Sequence, residues 1–347
     1  MLMGKIKEYK IGIDSANKIY FIDTNILLAM TQLYYKGKCK DEEITEEIKI
    51  FILESRKYGV HNQFSITEVC FDYKSNQMNN EQMNKIMIAY DNLLMNLTDD
   101  EIRNHKGYLE PKAKWNSKRE YSYKSIFECN LPKFFLANNI GMIGIFYQTY
   151  LYFLKIYDLK ISNEEPLTKI RSLFKFMTED IDVFMGYEFY LGVMLFVGNQ
   201  KEREISQGIF KPMANPPLDH ILNTVIDIFQ YRMACFIADY SVRLKMPLKA
   251  VFATMDIDLQ KYIEHNISYQ TVMTSNMITP INHFEIAIDS KYIQEWDKFY
   301  DEIYYPILQS RFSDIHIHEI DEEKRKFISD KIRNEIVKYE RIVYNIK

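Results

Sequence analysis

Four acidic residues stand where apolar runs hand over to helix-forming sequence. Asp23 follows Ile19-Tyr20-Phe21-Ile22, and Glu68 closes Ser65-Ile66-Thr67-Glu68. Asp239 lies in Ile237-Ala238-Asp239-Tyr240-Ser241, and Asp256 ends Ala250-Val251-Phe252-Ala253-Thr254-Met255-Asp256. A β-branched or aromatic run that ends in Asp suggests a buried parallel strand carrying a carboxylate at its carboxyl end. That edge is where open α/β sheets form their sites. Clustered carboxylates repel one another unless a hard divalent cation neutralises them, so Mg²⁺ or Mn²⁺ is the expected guest. The chemistry such a set could do is phosphodiester hydrolysis. The ion would acidify a water and stabilise the leaving oxygen, while neighbouring carboxylates accept the proton. No Ser-His-Asp or Cys-His set competes, and spacing does not fix whether one ion acts or two.

The elements that must position these acids can be read along the chain. Residues 19–28 read as strand, turn and helix start, and residues 42–58 as an amphipathic helix with Ile44, Ile48, Phe51 and Ile52 near helical spacing. Gly59-Val60-His61 fits a short strand, and Ser65 to Glu68 has the form of a helix-starting capping box. A helix is expected from about Leu218 to Lys245, ending before Pro247. Residues 250–253 form the next strand, and Asn276 to Pro280 resembles a last edge strand. The β-α-β-α order predicts an α/β fold with a parallel sheet.

Phe21-Ile22-Asp23-Thr24-Asn25-Ile26-Leu27-Leu28 resembles the opening of PIN-domain nucleases. Ser65 to Glu68 is similar to the family's second signature, and Ala253-Thr254-Met255-Asp256-Ile257-Asp258 to its late Thr-x-Asp-x-Asp motif, with Leu259 where an aromatic is usual. Met277-Ile278-Thr279-Pro280, with Phe284 beyond, resembles the closing strand. The resemblance implies a PIN-like α/β/α sandwich built from residues 18–75 and 219–287. A helical insertion over 76–218 and a helical C-terminal tail over 288–347 would enlarge it. It further implies a metal-dependent ribonuclease, with Asp23, Glu68, Asp239 and Asp256 as catalytic metal ligands and Asp258 at the edge. The third acid is the least constrained: Asp239 lies 17 residues before Asp256, and Asp227 lies 29 before. Asn25 is expected to hold Asp23 through its amide, and Ser241 and Thr254 either to fill backbone-capping roles or to steer water and metal through their hydroxyls.

A substrate grip is expected in residues 101–125, where seven basic residues face three acidic ones. Lys112, Lys114, Lys118 and Arg119 could reach phosphates, and Trp115 could stack on an unpaired base, a combination suited to single-stranded RNA. A solvated loop is the plainer account of the same residues. The alternatives to a ribonuclease are a catalytically weak PIN-like scaffold that binds RNA or protein, and a structure-specific DNA nuclease.

Bulk properties bound these readings. With 347 residues, 47% of them hydrophobic and a net charge of −4, the chain can bury a core and is not a globally basic nucleic-acid binder. Cys39, Cys70, Cys129 and Cys235 stand singly, which fits reduced thiols in a cytoplasmic protein rather than structural zinc. Ile140–Leu154 and Asp182–Val197 fall short of the ~20 apolar residues of a membrane span. The insertion would select substrate, shield the acidic pocket or form a homo-oligomer surface.

Overall fold

The computed structural model describes residues 3–72, 77–108, 140–210, 217–265, 268–273, 278–283, 285–314 and 322–343. The chain folds as two compact units, residues 1–137 with 226–260, and residues 138–225 with 261–347.

The first unit is built on a four-stranded sheet. Its strands are β1 (Met3–Ile11), β2 (Lys18–Ile22), β3 (Gly59–His61) and, after the ribbon β4–β5 (Phe71–Asp72 and Gln77–Met78), β6 (Lys249–Asp256). The order across the sheet is β1-β6-β2-β3. β2 runs parallel to both β3 and β6, and β1 is antiparallel to β6. Alternation along the strands sorts side chains to two faces. Tyr20, Ile22, Val251, Ala253 and Met255 join a buried cluster with Ile26, Leu27, Met30 and Leu33 of α1 (Thr24–Lys36) and Ile48, Phe51 and Ile52 of α2 (Glu42–Ser55). On the other face Phe21 meets His61 and Phe252 meets Tyr231, with Phe64 against Phe229. His61 is itself on β3, Phe64 comes from the start of α3 (Gln63–Cys70) and, after α4 (Asn80–Asp91), α5 (Asp99–Arg103) and the second unit's α6–α9, Phe229 and Tyr231 come from the long α10 (Pro217–Arg243). Helices therefore cover both faces of a mixed α/β sheet.

The second unit is helical, apart from the antiparallel pair β7 (Ser268–Met273) and β8 (Ile278–His283). Its helices include α6 (Ile140–Ile161), α7 (Pro166–Lys175), α8 (Gly186–Phe196) and α9 (Gln200–Phe210). Helix α11 (Ile257–His265) leads out of the sheet, and α12 (Ile293–Phe299), α13 (Tyr305–Asp314) and α14 (Glu322–Val343) close the order. Its core is aromatic: the rings of Phe174 and Tyr304 each lie within 6.4 Å of those of Phe189 and Phe299. Buried charges there are answered, as where Lys169 donates to Ser162 O at 2.8 Å and Tyr150 to Glu340 at 3.0 Å. The described segment apolar and long enough to cross a bilayer is Ile221–Ala238, and 72% of it is buried in the protein, as in a core helix.

Several elements differ from the sequence expectation. β8 pairs with β7, and β1 occupies the sheet edge beside β6, with Met3 opposite Asp256. Of the residues expected as the closing strand, Ile278 to Pro280 thus pair with β7 and not with the four-stranded sheet, and Asn276 and Met277 lie outside the described residues. Helix α3 starts at Gln63, so Ser65 is inside it and does not cap it. The boundaries move too: α4 packs against α1 in the first unit, and α14 packs against α6 in the second, so neither the expected insertion nor the tail stands as a unit.

Candidate carboxylate site

Asp23 follows β2 and caps α1. Its Oδ1 accepts from Ile26 N at 2.8 Å, and its Oδ2 from Met255 N at 3.0 Å and Thr254 Oγ1 at 2.5 Å. It is 2% exposed. Burial raises its carboxyl above the ordinary range, the three hydrogen bonds oppose that, and the Asp256 carboxylate raises it further.

Asp256 ends β6, the strand hydrogen-bonded to β2. Its Oδ1 accepts from Asp258 N at 2.9 Å and Leu259 N at 3.1 Å, so it caps the helix that follows. Its own N–H goes to Thr254 Oγ1 at 3.0 Å. Two buried acids thus sit side by side at the carboxyl end of neighbouring parallel strands, joined by one threonine hydroxyl. Glu68 on α3 approaches the same end, since its carboxylate accepts from the hydroxyl of Thr24, the residue after Asp23. Asp258 is half-buried in the first turn of α11.

Asp239 and Ser241 belong elsewhere. Asp239 lies within α10, not at a strand end. Its neighbour Ala238 sits where a Cβ on Gly12 would come within 2.9 Å, beside Leu248 at the amino end of β6. Ser241 donates to Ala238 O at 2.7 Å and accepts from Leu248 N at 3.0 Å, closing the turn into β6. Both therefore mark the edge opposite Asp256, because α10 runs back along the sheet. Tyr231 of the same helix packs on Phe252, and Gln230 lies 3.5 Å from Ser65. Asp227 is twelve residues before Asp239, about 18 Å along the axis toward the carboxyl edge. Of the two candidates for the third acid, Asp227 is the one on the Asp23 side.

Asn25 is buried in the first turn of α1. The groups that hold Asp23 are Ile26 N, Met255 N and the Thr254 hydroxyl; the Asn25 amide is not among them. Ser65 supplies a tie the sequence did not suggest, its Oγ donating to Ile22 O at 2.5 Å and so docking α3 to the end of β2. Two further polar residues escaped notice, Asn62 and Gln230, both buried. An Asn after a strand reads as an ordinary turn, and a Gln in an apolar helix as surface, so no signal distinguished them. Lys112, Lys114, Trp115, Lys118 and Arg119 lie outside the described residues.

The nearby donors are carboxylate oxygens, the type that suits hard divalent ions. Among the described residues, no three of His, Cys, Asp and Glu stand together as a metal-holding group. The geometry brings together Asp23 and Asp256, with Glu68 linked through Thr24, and does not close a coordination shell. No protein-family model, curated protein or solved structure matches the chain.

Proposed function

We propose that this chain is a PIN-like, metal-dependent nuclease that cleaves single-stranded RNA at the carboxylate edge of its first unit. One observation carries the reading: Asp23 and Asp256 end adjacent parallel strands, and the Thr254 hydroxyl links the Asp23 carboxylate to the Asp256 backbone N–H. Burying two carboxylates side by side is costly without a compensating cation. Asp23 and Asp256 would hold Mg²⁺ or Mn²⁺, with Glu68 and Asp227 completing the set. When bound, the ion supplies Lewis acidity that acidifies water and offsets charge on phosphoryl oxygens. Asp23, fixed by three donors, keeps one orientation. Glu68 is half-buried rather than enclosed, which suits it to accept a proton from water.

The test is cleavage of labelled single-stranded RNA and DNA with Mn²⁺, Mg²⁺ or EDTA, using the wild type and Asp23→Asn/Asp256→Asn. RNA cleavage that needs the ion and vanishes in the double variant is the expected result. Cleavage that survives both EDTA and the double substitution places the chemistry elsewhere. The lack of a three-acid group among the described residues favours a second reading, a PIN-like scaffold that binds RNA or protein without cutting. RNA retained uncut in Mn²⁺ would select it.

A further inference from the structure

Two glycine turns meet at the far end of α1 and carry a stack of rings. Gly37 closes α1 with φ +71°, and Gly107 follows α5 with φ +86°. A Cβ on either glycine would run into the backbone of the other turn, so the two segments lock together. Tyr108 N donates to Tyr34 O at 3.1 Å, and His105 Nε2 to the same oxygen at 2.7 Å. The His105 ring stacks on Tyr34 at 5.7 Å, and Tyr108 lies 4.9 Å from Tyr34 and 5.0 Å from His105. Tyr34 is 9% exposed, whereas Tyr108 is 48% exposed. A tyrosine is thus held from behind by rings with much of its own surface open to solvent.

The charge around it has one sign. Residues 34–40 and 103–108 hold Lys36, Lys38, Lys40, Arg103 and Lys106 and no acid, in a chain of net charge −4. All five are exposed. The nearest acids in sequence, Asp41 and Glu101, are taken up in capping α2 and α5. Lys85 of α4 adds a sixth cation, its Nζ 5.4 Å over the Tyr35 ring. Burial lowers the Lys85 ammonium below its ordinary range, and the Lys36 charge lowers it further against the opposing pull of Glu81. Cations gathered in this way repel one another until an anion joins them. Single-stranded nucleic acid offers phosphates to the lysines and flat rings to the Tyr108 face.

We propose that Tyr108, with Lys36, Lys38 and Lys106, forms a stacking platform that grips single-stranded RNA apart from the acids. Tyr34 lies eleven residues after Asp23, about 17 Å along α1, so this grip is set away from the carboxylate edge. The assignment deepens the RNA reading above, and it needs neither a bound ion nor a third acid.

The test is fluorescence anisotropy of labelled single-stranded RNA with the full chain in EDTA, titrated at several salt concentrations. The variants are Tyr108→Ala, Tyr108→Trp and the triple Lys36→Ala/Lys38→Ala/Lys106→Ala, each checked by thermal melting. If Tyr108→Ala does not fold, Tyr108→Leu takes its place, filling the space without a π face. Tyr108→Ala should weaken binding about 5- to 150-fold with the salt slope kept, since stacking releases no counterions. Tyr108→Trp should bind at least as tightly as the wild type. The triple variant should lower the log–log slope by about 2, at about 0.7 for each lost contact. A wild type that binds RNA, beside folded Tyr108 and triple variants that bind as it does, overturns this proposal alone. Polyglutamate that competes as well as RNA, with no loss in Tyr108→Ala, also overturns it and marks a surface for acidic protein. A wild type that binds no RNA removes both this proposal and RNA as the substrate. Binding through Tyr108 without any cleavage in Mn²⁺ supports the platform and removes only the nuclease reading.

Discussion

The Thr254 hydroxyl donates to Asp23 Oδ2 at 2.5 Å while receiving the Asp256 backbone N–H at 3.0 Å, so a single side chain sets the spacing of two acids on neighbouring strands. It does so at 0% exposure, where water cannot replace either bond. Thr254→Val keeps the shape and removes both partners. Asp23 Oδ2 keeps Met255 N, so the Asp256 N–H is the group left unanswered, and we expect a loss of about 1–3 kcal/mol. Metal-dependent cleavage should drop on the order of tenfold, as for other losses of ligand-orienting groups. Thr254→Ser should restore most of both. Urea denaturation and initial rates check this, and a Val variant that melts like the wild type would show that the hydroxyl carries no such burden.

Asp23 predicts a pH dependence with a definite sign. Its folded carboxyl is raised above the ordinary 3.8, chiefly by burial. The unfolded chain therefore releases its proton first as pH rises, and this group's contribution to stability is greatest below about pH 4 and declines through the folded pKa. Asp23→Asn cannot ionise and should lack that decline. The stability of the variant relative to wild type should grow between pH 4 and 8 in metal-free buffer. A difference that shrinks instead would mean that the Ile26, Thr254 and Met255 donors outweigh burial.

The strand-ending acids Asp23 and Asp256 were legible because uninterrupted apolar runs that stop at an acid read as buried parallel strands. The helices at 42–55 and 217–243 were legible from apolar periodicity and from the proline that follows. What failed was long-range. Nothing local in Met3–Ile11 says that it takes the edge beside β6, and Ile278–His283 reads equally well as a strand in either sheet. Asp239 failed for a related reason. Sequence distance from Asp256 does not reveal that α10 runs back along the sheet, which carries its last turns to the amino edge. Asn62 and Gln230 were invisible because a buried amide donor without an acceptor exists only in three dimensions.

The two candidate third acids give a clean contrast. Asp227 lies on the Asp23 side of α10, and Asp239 lies by the Gly12–Leu248 turn. Asp227→Asn should cut Mn²⁺-dependent cleavage by roughly a hundredfold, the upper end of what a misplaced ligand costs. Asp239→Asn should leave cleavage within about twofold, since its turn of α10 lies by the amino end of β6, away from Asp23 and Asp256. Paired rate measurements at saturating Mn²⁺ decide the matter. Loss of activity in the Asp239 variant alone would reverse the assignment.

The basic stretch of residues 101–125 makes a prediction that depends on counterions rather than on chemistry at the acids. If Lys112, Lys114, Lys118 and Arg119 contact an RNA backbone, replacing all four with Ala should weaken binding and flatten its salt dependence. Each lost phosphate contact lowers the log–log slope by about 0.7 for a single strand, so the quadruple variant should lose as much as ~3. Trp115→Ala should instead cost about 1–3 kcal/mol with little change in slope, because stacking releases no ions. Fluorescence anisotropy of labelled RNA, titrated from 50 to 200 mM salt with Ca²⁺ in place of Mn²⁺, separates the two effects from cleavage. An unchanged slope would remove this stretch from the RNA interface and leave the acidic edge to recognise its substrate through other contacts.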